Sequence, residues 1–274
     1  MRAKDSVIWR AIATAVAALL IAAPAAAGPS QAELPPLRVC ADPNNLPFSN
    51  DKGEGLENKL AEIVAAELGR RVEYTWHAQR RGFIRQTLNA GLCDVVMGIP
   101  HLDMLATTRA YYSSQYVFVS RADRSLSVSS LDAPELEHLT IGVHLIGDDG
   151  FNTPPAHALA MRGLVYNVRG YTIYGDYRES SPPMRLLDAV ASGEIDIAAV
   201  WGPQAGWYVA RSPVPLRMVP ITRTERYLPL VFQFPIAMGV RKEDIALRNR
   251  LNEIIAERGA DIRALLESYG VPML

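Results

Sequence analysis

Cysteine is scarce in this chain. Cys40 and Cys93 are the only two in 274 residues, and no histidine stands at ligand spacing from either, which excludes a structural zinc site. Charge of one sign is equally lacking, with 28 basic against 29 acidic residues and a net charge of −1. Nucleic acid and anionic membranes both call for a basic patch, so neither is indicated as a partner. There is no fixed-period repeat, and no low-complexity segment beyond the amino terminus. A GxSxG elbow, an HExxH pair and a phosphate-binding glycine loop are all missing, which removes the commonest motif-borne catalytic chemistries.

The one long apolar run, Ala11 to Ala23, is short for a membrane span and ends at Pro24. Arg2, Lys4 and Arg10 precede it, and Ala25-Ala26-Ala27 follows with the small residues of a cleavage site. Residues 1–27 therefore read as a signal peptide, cleaved near Ala27, with export of a soluble, periplasmic protein and no stable membrane insertion. Cleavage leaves 25 basic and 28 acidic residues, a mature charge of −3 with histidine neutral. The remaining 247 residues are enough for one large domain or two lobes. In an exported chain an even cysteine count favours a disulfide over two buried thiols.

The mature chain is organised around Leu37 to Leu56. A buried strand at Leu37 to Ala41 runs into a Pro/Asn loop, then a turn at Gly53 and Gly55, then a helix. Such a loop lies at the carboxyl end of a parallel sheet, where open α/β folds bind ligands, and Asn44, Asn45 and Phe48 would face a cleft. The other reading is a surface turn stiffened by Pro43 and Pro47. Leu56, Leu60, Ile63, Val64 and Leu68 recur at helical spacing, Arg71 to Trp76 alternates as a strand, Gly82 to Ala90 predicts a second helix, and Asp94 to Ile99 a buried strand. Tyr111 to Val119 predicts a further strand. A second α/β set follows: strands at Leu139 to His144 and Ile195 to Trp201, an extended stretch at Tyr171 to Tyr174, and helices near Pro155 to Arg162, Pro183 to Ser192 and Pro203 to Arg211. Residues 213–230 predict an irregular return, Phe234 to Val240 a strand, and Arg248 to Leu266 a helix broken at Gly259.

Five pieces together resemble the type 2, amino-acid-receptor-like periplasmic solute-binding proteins: LRVCADPNNLPF at 37–48, GLENKLAEIVAAELG at 55–69, LNAGLCDVVMG at 88–98, SGEIDIAAVWGPQAGWYV at 192–209, and the closing strand and helices at 234–270. The resemblance implies an α/β, two-lobed fold with a cleft between the lobes. One lobe would hold 37–120 with 231–274 and the other 121–230, and Cys40 and Cys93 would lie on neighbouring strands. Two departures bear on the ligand. The arginine expected ten residues before Tyr116 is Ala106, and the aspartate expected two residues before Pro203 is Trp201. An α-amino acid needs both of its charges answered on desolvation, so this cleft should not bind one unless Arg109 substitutes.

A narrower resemblance uses VCADPNNLPFS, GEGLENKLAE, YTWHAQRRGFIRQTLNAGLCDVV and DMLATTRAYYSSQYVFV. These segments are similar to the MoxJ and XoxJ type, solute-binding-like proteins associated with quinoprotein methanol dehydrogenases. His101-Leu102 departs from the expected small residue and aromatic. The propeller motifs of the dehydrogenase itself are absent. This resemblance implies an accessory role in assembling periplasmic methanol dehydrogenase, with no tightly bound cofactor and with pyrroloquinoline quinone or the immature enzyme as the transient guest.

For the cleft, Trp201 and Phe48 are the expected apolar walls, with Trp76, Tyr111, Tyr112 and Trp207 as further aromatic candidates that core packing would also explain. Asn44, Arg80 and Asp103 are the expected polar anchors. Arg80 and Arg81, ahead of the Gly82 helix, suit a polycarboxylate or else form a solvated basic turn. Asp148-Asp149-Gly150 with Asn152 lacks calcium-loop spacing and reads as a turn, and His101 with Asp103 makes no metal site. The rival functions are an importer receptor for a small non-amino-acid solute and a cleft lyase. For a lyase, Glu57, Asp103 and Glu225 are the carboxylates available.

Overall fold

The computed structural model describes residues 34–146, 152–173 and 178–274. The signal segment 1–27, the Asp148–Gly150 turn and Tyr174 lie outside them. In chain order the elements are β1 (Leu37–Ala41), β2 (Asn44–Asn45), β3 (Ser49–Asn50), α1 (Leu56–Glu67), β4 (Val72–Trp76), α2 (Phe83–Gln86), β5 (Val95–Ile99), β6 (Ala106–Thr107) and β7 (Tyr112–Arg121). Next come β8 (Ile141–Leu145), α3 (Pro154–Met161), β9 (Val168–Thr172), α4 (Arg185–Ser192), β10 (Ile197–Trp201), α5 (Gly202–Val209), β11 (Leu216–Pro220), β12 (Gln233–Val240), α6 (Ile245–Glu257) and α7 (Gly259–Ser268).

Hydrogen-bonded strands follow the order β4-β1-β5-β12-β7-β10-β8-β9. Parallel pairing of β1 with β4 and β5, and of β8 with β9 and β10, makes two doubly wound halves. Strand β7 joins them. Its first residues, Tyr112 to Gln115, pair with β12, and from Tyr116 onward it pairs with β10 and β11. Separate apolar clusters fill the two halves: one around Leu37, Leu60, Met97, Met238 and Ile254, the other around Phe118, Ile141, Leu159 and Ile197. This is the two-lobed architecture expected from the sequence.

Two expectations need correction. The helix predicted over Gly82 to Ala90 is α2, only Phe83–Gln86. Gly82 enters it at φ 89° and the chain leaves helical geometry at Thr87, so Phe83 is buried from the one helical turn and Leu88 from the turn that follows it. The irregular return at 213–230 contains β11, which pairs antiparallel with β7 from Leu216 to Pro220. Pro213, Pro215 and Pro220 mask that strand in the sequence. Proline removes a ladder donor but is tolerated at strand ends and edges.

Cys40 on β1 and Cys93, just ahead of β5, form a disulfide with a Cα–Cα distance of 5.5 Å. It sits in a small core with Phe83, Leu88, Val96, Ile99 and Leu105.

Candidate functional site

The start of α1 sets the site. Its first N–H groups donate to the loop before it, Leu56 to the Pro47 carbonyl and Glu57 to the Phe48 carbonyl, both at 2.8 Å. The buried Asn58 Oδ1 accepts from the Asn50 and Gly55 N–H groups, each at 3.0 Å, and locks loop to helix. Gly55 is required by this closeness, since a Cβ there would collide with the Phe48 carbonyl. The consequence is that Phe48 and Glu57 are brought to one wall of a cavity of about 310 Å³.

Aromatic side chains dominate that cavity: Phe48, Tyr112, Tyr116, Trp201 and Phe234, with Ile146, Ile173 and Ile236. Trp201, at the end of β10, packs edge-on against Tyr116 at 5.4 Å and Phe234 at 5.7 Å, tying both crossing strands to the wall. The polar lining is Asn45, Glu57, Gln79, His144, Thr153 and Gln204. No arginine or lysine lines it among the described residues.

Glu57 is 8% exposed, and no hydrogen bond or ion pair reaches its carboxyl group among the described residues. Burial alone pushes its pKa up to about 8, so it is largely protonated at neutral pH. Gly98 makes room for it, because a Cβ there would collide with Glu57 Oε1. His144 is pushed the other way, down to about 4 by burial, and its Nε2–H donates to the Pro183 carbonyl at 2.8 Å. Burial raises the hydroxyls of Tyr111, Tyr112 and Tyr116 far above their ordinary value. The lining therefore carries almost no formal charge at pH 7.

Of the residues expected in the cleft, Asn45, Phe48, Tyr112 and Trp201 line this cavity together. Asn44 lies beside it and bridges the lobes: its Nδ2 donates to the Glu179 carbonyl at 2.6 Å, and its Oδ1 accepts from the Ser181 N–H at 3.0 Å. Asn44→Ala is expected to lower stability by about 1–2 kcal/mol and to increase the radius of gyration in small-angle scattering, since both cross-lobe bonds vanish. Trp76 is elsewhere, stacked on Tyr74 at 4.5 Å on the edge strand β4. Tyr111 is held by its hydroxyl donating to the Met97 carbonyl, and Trp207 lies under the Arg211 guanidinium at 4.9 Å.

Arg80 and Arg81 are exposed and precede a helix of four residues, which offers no N-terminal anion site. Asp103 is fully exposed beside His101 at 3.5 Å. Glu225 is exposed as well, so Glu57 is the one nominated carboxylate that reaches the cavity. No group of three or more metal-ligating side chains occurs among the described residues.

Sequence reasoning passed over Gln79, His144, Tyr116 and Phe234. The rule that selected Trp201, a side chain at the carboxyl end of a central strand, also finds His144 on β8. Gln79 was hidden because the buried Asp42 holds it: Asp42 accepts the Gln79 N–H at 2.7 Å, and Gln79 Oε1 accepts from Asn45 at 2.9 Å.

The family model for bacterial extracellular solute-binding proteins, family 3, matches residues 37–271. The chain belongs to that family. It is 32% identical over 250 residues to Protein MoxJ of Methylorubrum extorquens, covering 87% of this chain and 81% of the relative. Among solved structures, the periplasmic binding protein XoxJ of Methylobacterium extorquens AM1 is 36% identical with a TM-score of 0.70, covering 87% of this chain and 99% of that one. MxaJ of Methlophaga aminisulfidivorans is 29% identical with a TM-score of 0.74, covering 87% and 100%. A family 3 solute-binding protein for an amino acid must answer a carboxylate and an ammonium together, and among the described residues this cavity holds no cation for the carboxylate. Pyrroloquinoline quinone, with several carboxylates, does not fit the lining for the same reason.

Proposed function

We propose that this chain is a periplasmic, non-enzymatic accessory protein of methanol oxidation, exported by the signal segment 1–27, whose cleft receives a segment of the immature quinoprotein methanol dehydrogenase. The lobes that close on the guest are 37–120 with 231–274 and 121–230. The observation that carries this reading is the cavity itself, five aromatic side chains with no arginine or lysine among the described residues, in a chain similar to MoxJ, XoxJ and MxaJ over most of its length. Such a surface suits side chains of a partner, which bind through aromatic anchors in a desolvated pocket. No helix among the described residues is long and apolar enough to cross a membrane, in keeping with a freely diffusing partner.

Binding is tested by calorimetry of residues 28–274 against apo and holo methanol dehydrogenase. Saturable binding to the apo enzyme is expected, with Trp201→Ala weakening it by tenfold or more, as for a central aromatic anchor. No binding to either form, with a small metabolite raising the melting temperature instead, would return the chain to the importer receptors.

A further inference from the structure

Glu57 is not explained by an apolar partner surface. A carboxyl group on a residue only 8% exposed, on a cavity wall, with no hydrogen-bond or ion-pair partner among the described residues, is a costly thing to keep. It is also accommodated, since Gly98 leaves its side chain the space that any other residue would fill. The unpartnered Nδ2 of the buried Asn58 follows it on α1, and two lone-pair sites stand on the cavity lining among the described residues. Asn45 Oδ1 is buried without a partner, and His144, which donates through Nε2, keeps its lone pair on Nδ1. Around these acceptors stand the five aromatic rings, whose faces attract cations.

We propose that the cavity binds an organic monocation, an ammonium or guanidinium group on an apolar body, with Glu57 as its counter-ion and Phe48, Tyr112, Tyr116, Trp201 and Phe234 as its aromatic walls. Within the function proposed above, on which the physiological identity of the guest rests, that group is a lysine or arginine side chain of the captured segment. The cavity's affinity for a cation does not itself depend on that function.

Proton linkage gives the proposal its signature. The empty cavity holds Glu57 protonated at pH 7, whereas the cation requires it ionised, so binding releases a proton. The titratable groups near Glu57 among the described residues are Tyr74 on β4, Tyr111 just before β7, Tyr112 on β7, and across the cavity Tyr116 and His144. Burial keeps these tyrosines protonated and His144 neutral between pH 6 and 8.5, which leaves Glu57, among the described residues lining the cavity, as the group that titrates there.

The test is calorimetry with phenyltrimethylammonium, whose charge is permanent, against its neutral isostere tert-butylbenzene and against phenylacetate, in buffers of different ionisation enthalpy. The expected result is saturable binding of the cation alone, tightening about tenfold per pH unit from pH 6 towards 8, with release of nearly one proton at pH 7. Glu57→Gln should lose at least tenfold in affinity and all of the pH dependence. Equal binding of the isostere or of phenylacetate, affinity flat or falling over that range, or no saturable binding of the cation would each overturn it. The proton count is read on the unmodified protein and does not depend on the variant folding. Binding of the probe without binding of apo dehydrogenase would leave this inference standing and remove the partner reading, and the converse would do the opposite.

Discussion

Glu57→Gln is expected to be as stable as the natural chain near pH 4.5 and more stable by about 3 kcal/mol at pH 7, rising towards about 5 kcal/mol above pH 8. The sign follows from the raised folded-state pKa of about 8 against an ordinary value of 4.5. Below 4.5 both folded and unfolded chains hold the proton. Between 4.5 and 8 the folded chain holds a proton that the unfolded chain gives up, so stability falls with rising pH by about 1.4 kcal/mol per unit. His144 acts in the opposite direction. Its folded pKa of about 4 lies below the ordinary 6.5, so its contribution is present above 6.5 and is lost as pH falls towards 4. From pH 4.5 to 6.5 the two slopes cancel, and above 6.5 Glu57 acts alone. The natural chain should therefore show a flat profile and then a fall of about 2 kcal/mol between pH 6.5 and 8. The glutamine variant should rise to 6.5 and stay level. Urea denaturation across this range reads both curves, and parallel profiles would show that Glu57 does not titrate as described. A residue kept at such a cost to stability is expected at a functional site rather than in a packing role.

Removing the disulfide by Cys40→Ala with Cys93→Ala is expected to lower stability by about 4 kcal/mol, the loop-closure entropy returned to the unfolded chain. The bridge spans 53 residues, and both ends are buried, at 2% and 0% exposure. It anchors the core formed with Phe83 and Leu88, and the segment ahead of Phe83 carries Gln79 to the cavity wall. The loss should thus reach the site: amides of residues 77–88 should exchange faster than those of α6 and α7. A shift in the urea midpoint equivalent to less than about 1 kcal/mol would mean that the unfolded chain is already compact across this loop.

The fold was legible because its signals are local. Apolar runs at 37–41, 95–99 and 197–201 are the buried parallel or central strands, and the periodicity of 56–68 is α1. Strand β11 was not legible, since Pro215 precedes it, Pro220 ends it and its pairing with β7 is tertiary. Within the site, Phe48, Asn45, Tyr112 and Trp201 could be read because they end strands or sit in the loop after β1. Arg80 and Arg81 were misleading: the argument for them needed a full helix at Gly82, and α2 is one turn. Glu57 was named for its chemistry alone. Its missing partner and its burial belong to the packing of α1 against β5, which no spacing in the sequence expresses.

The central claim, that the cleft is where the partner is held, is tested most directly by hydrogen exchange of the unmodified protein with and without apo methanol dehydrogenase. The account predicts protection concentrated at the cavity-forming segments, residues 44–58, 98–100, 112–116 and 201–204, with the outer faces of α3 and α6 unchanged. Protection confined to those outer faces, with exchange around Glu57 and Trp201 unaltered, would contradict it.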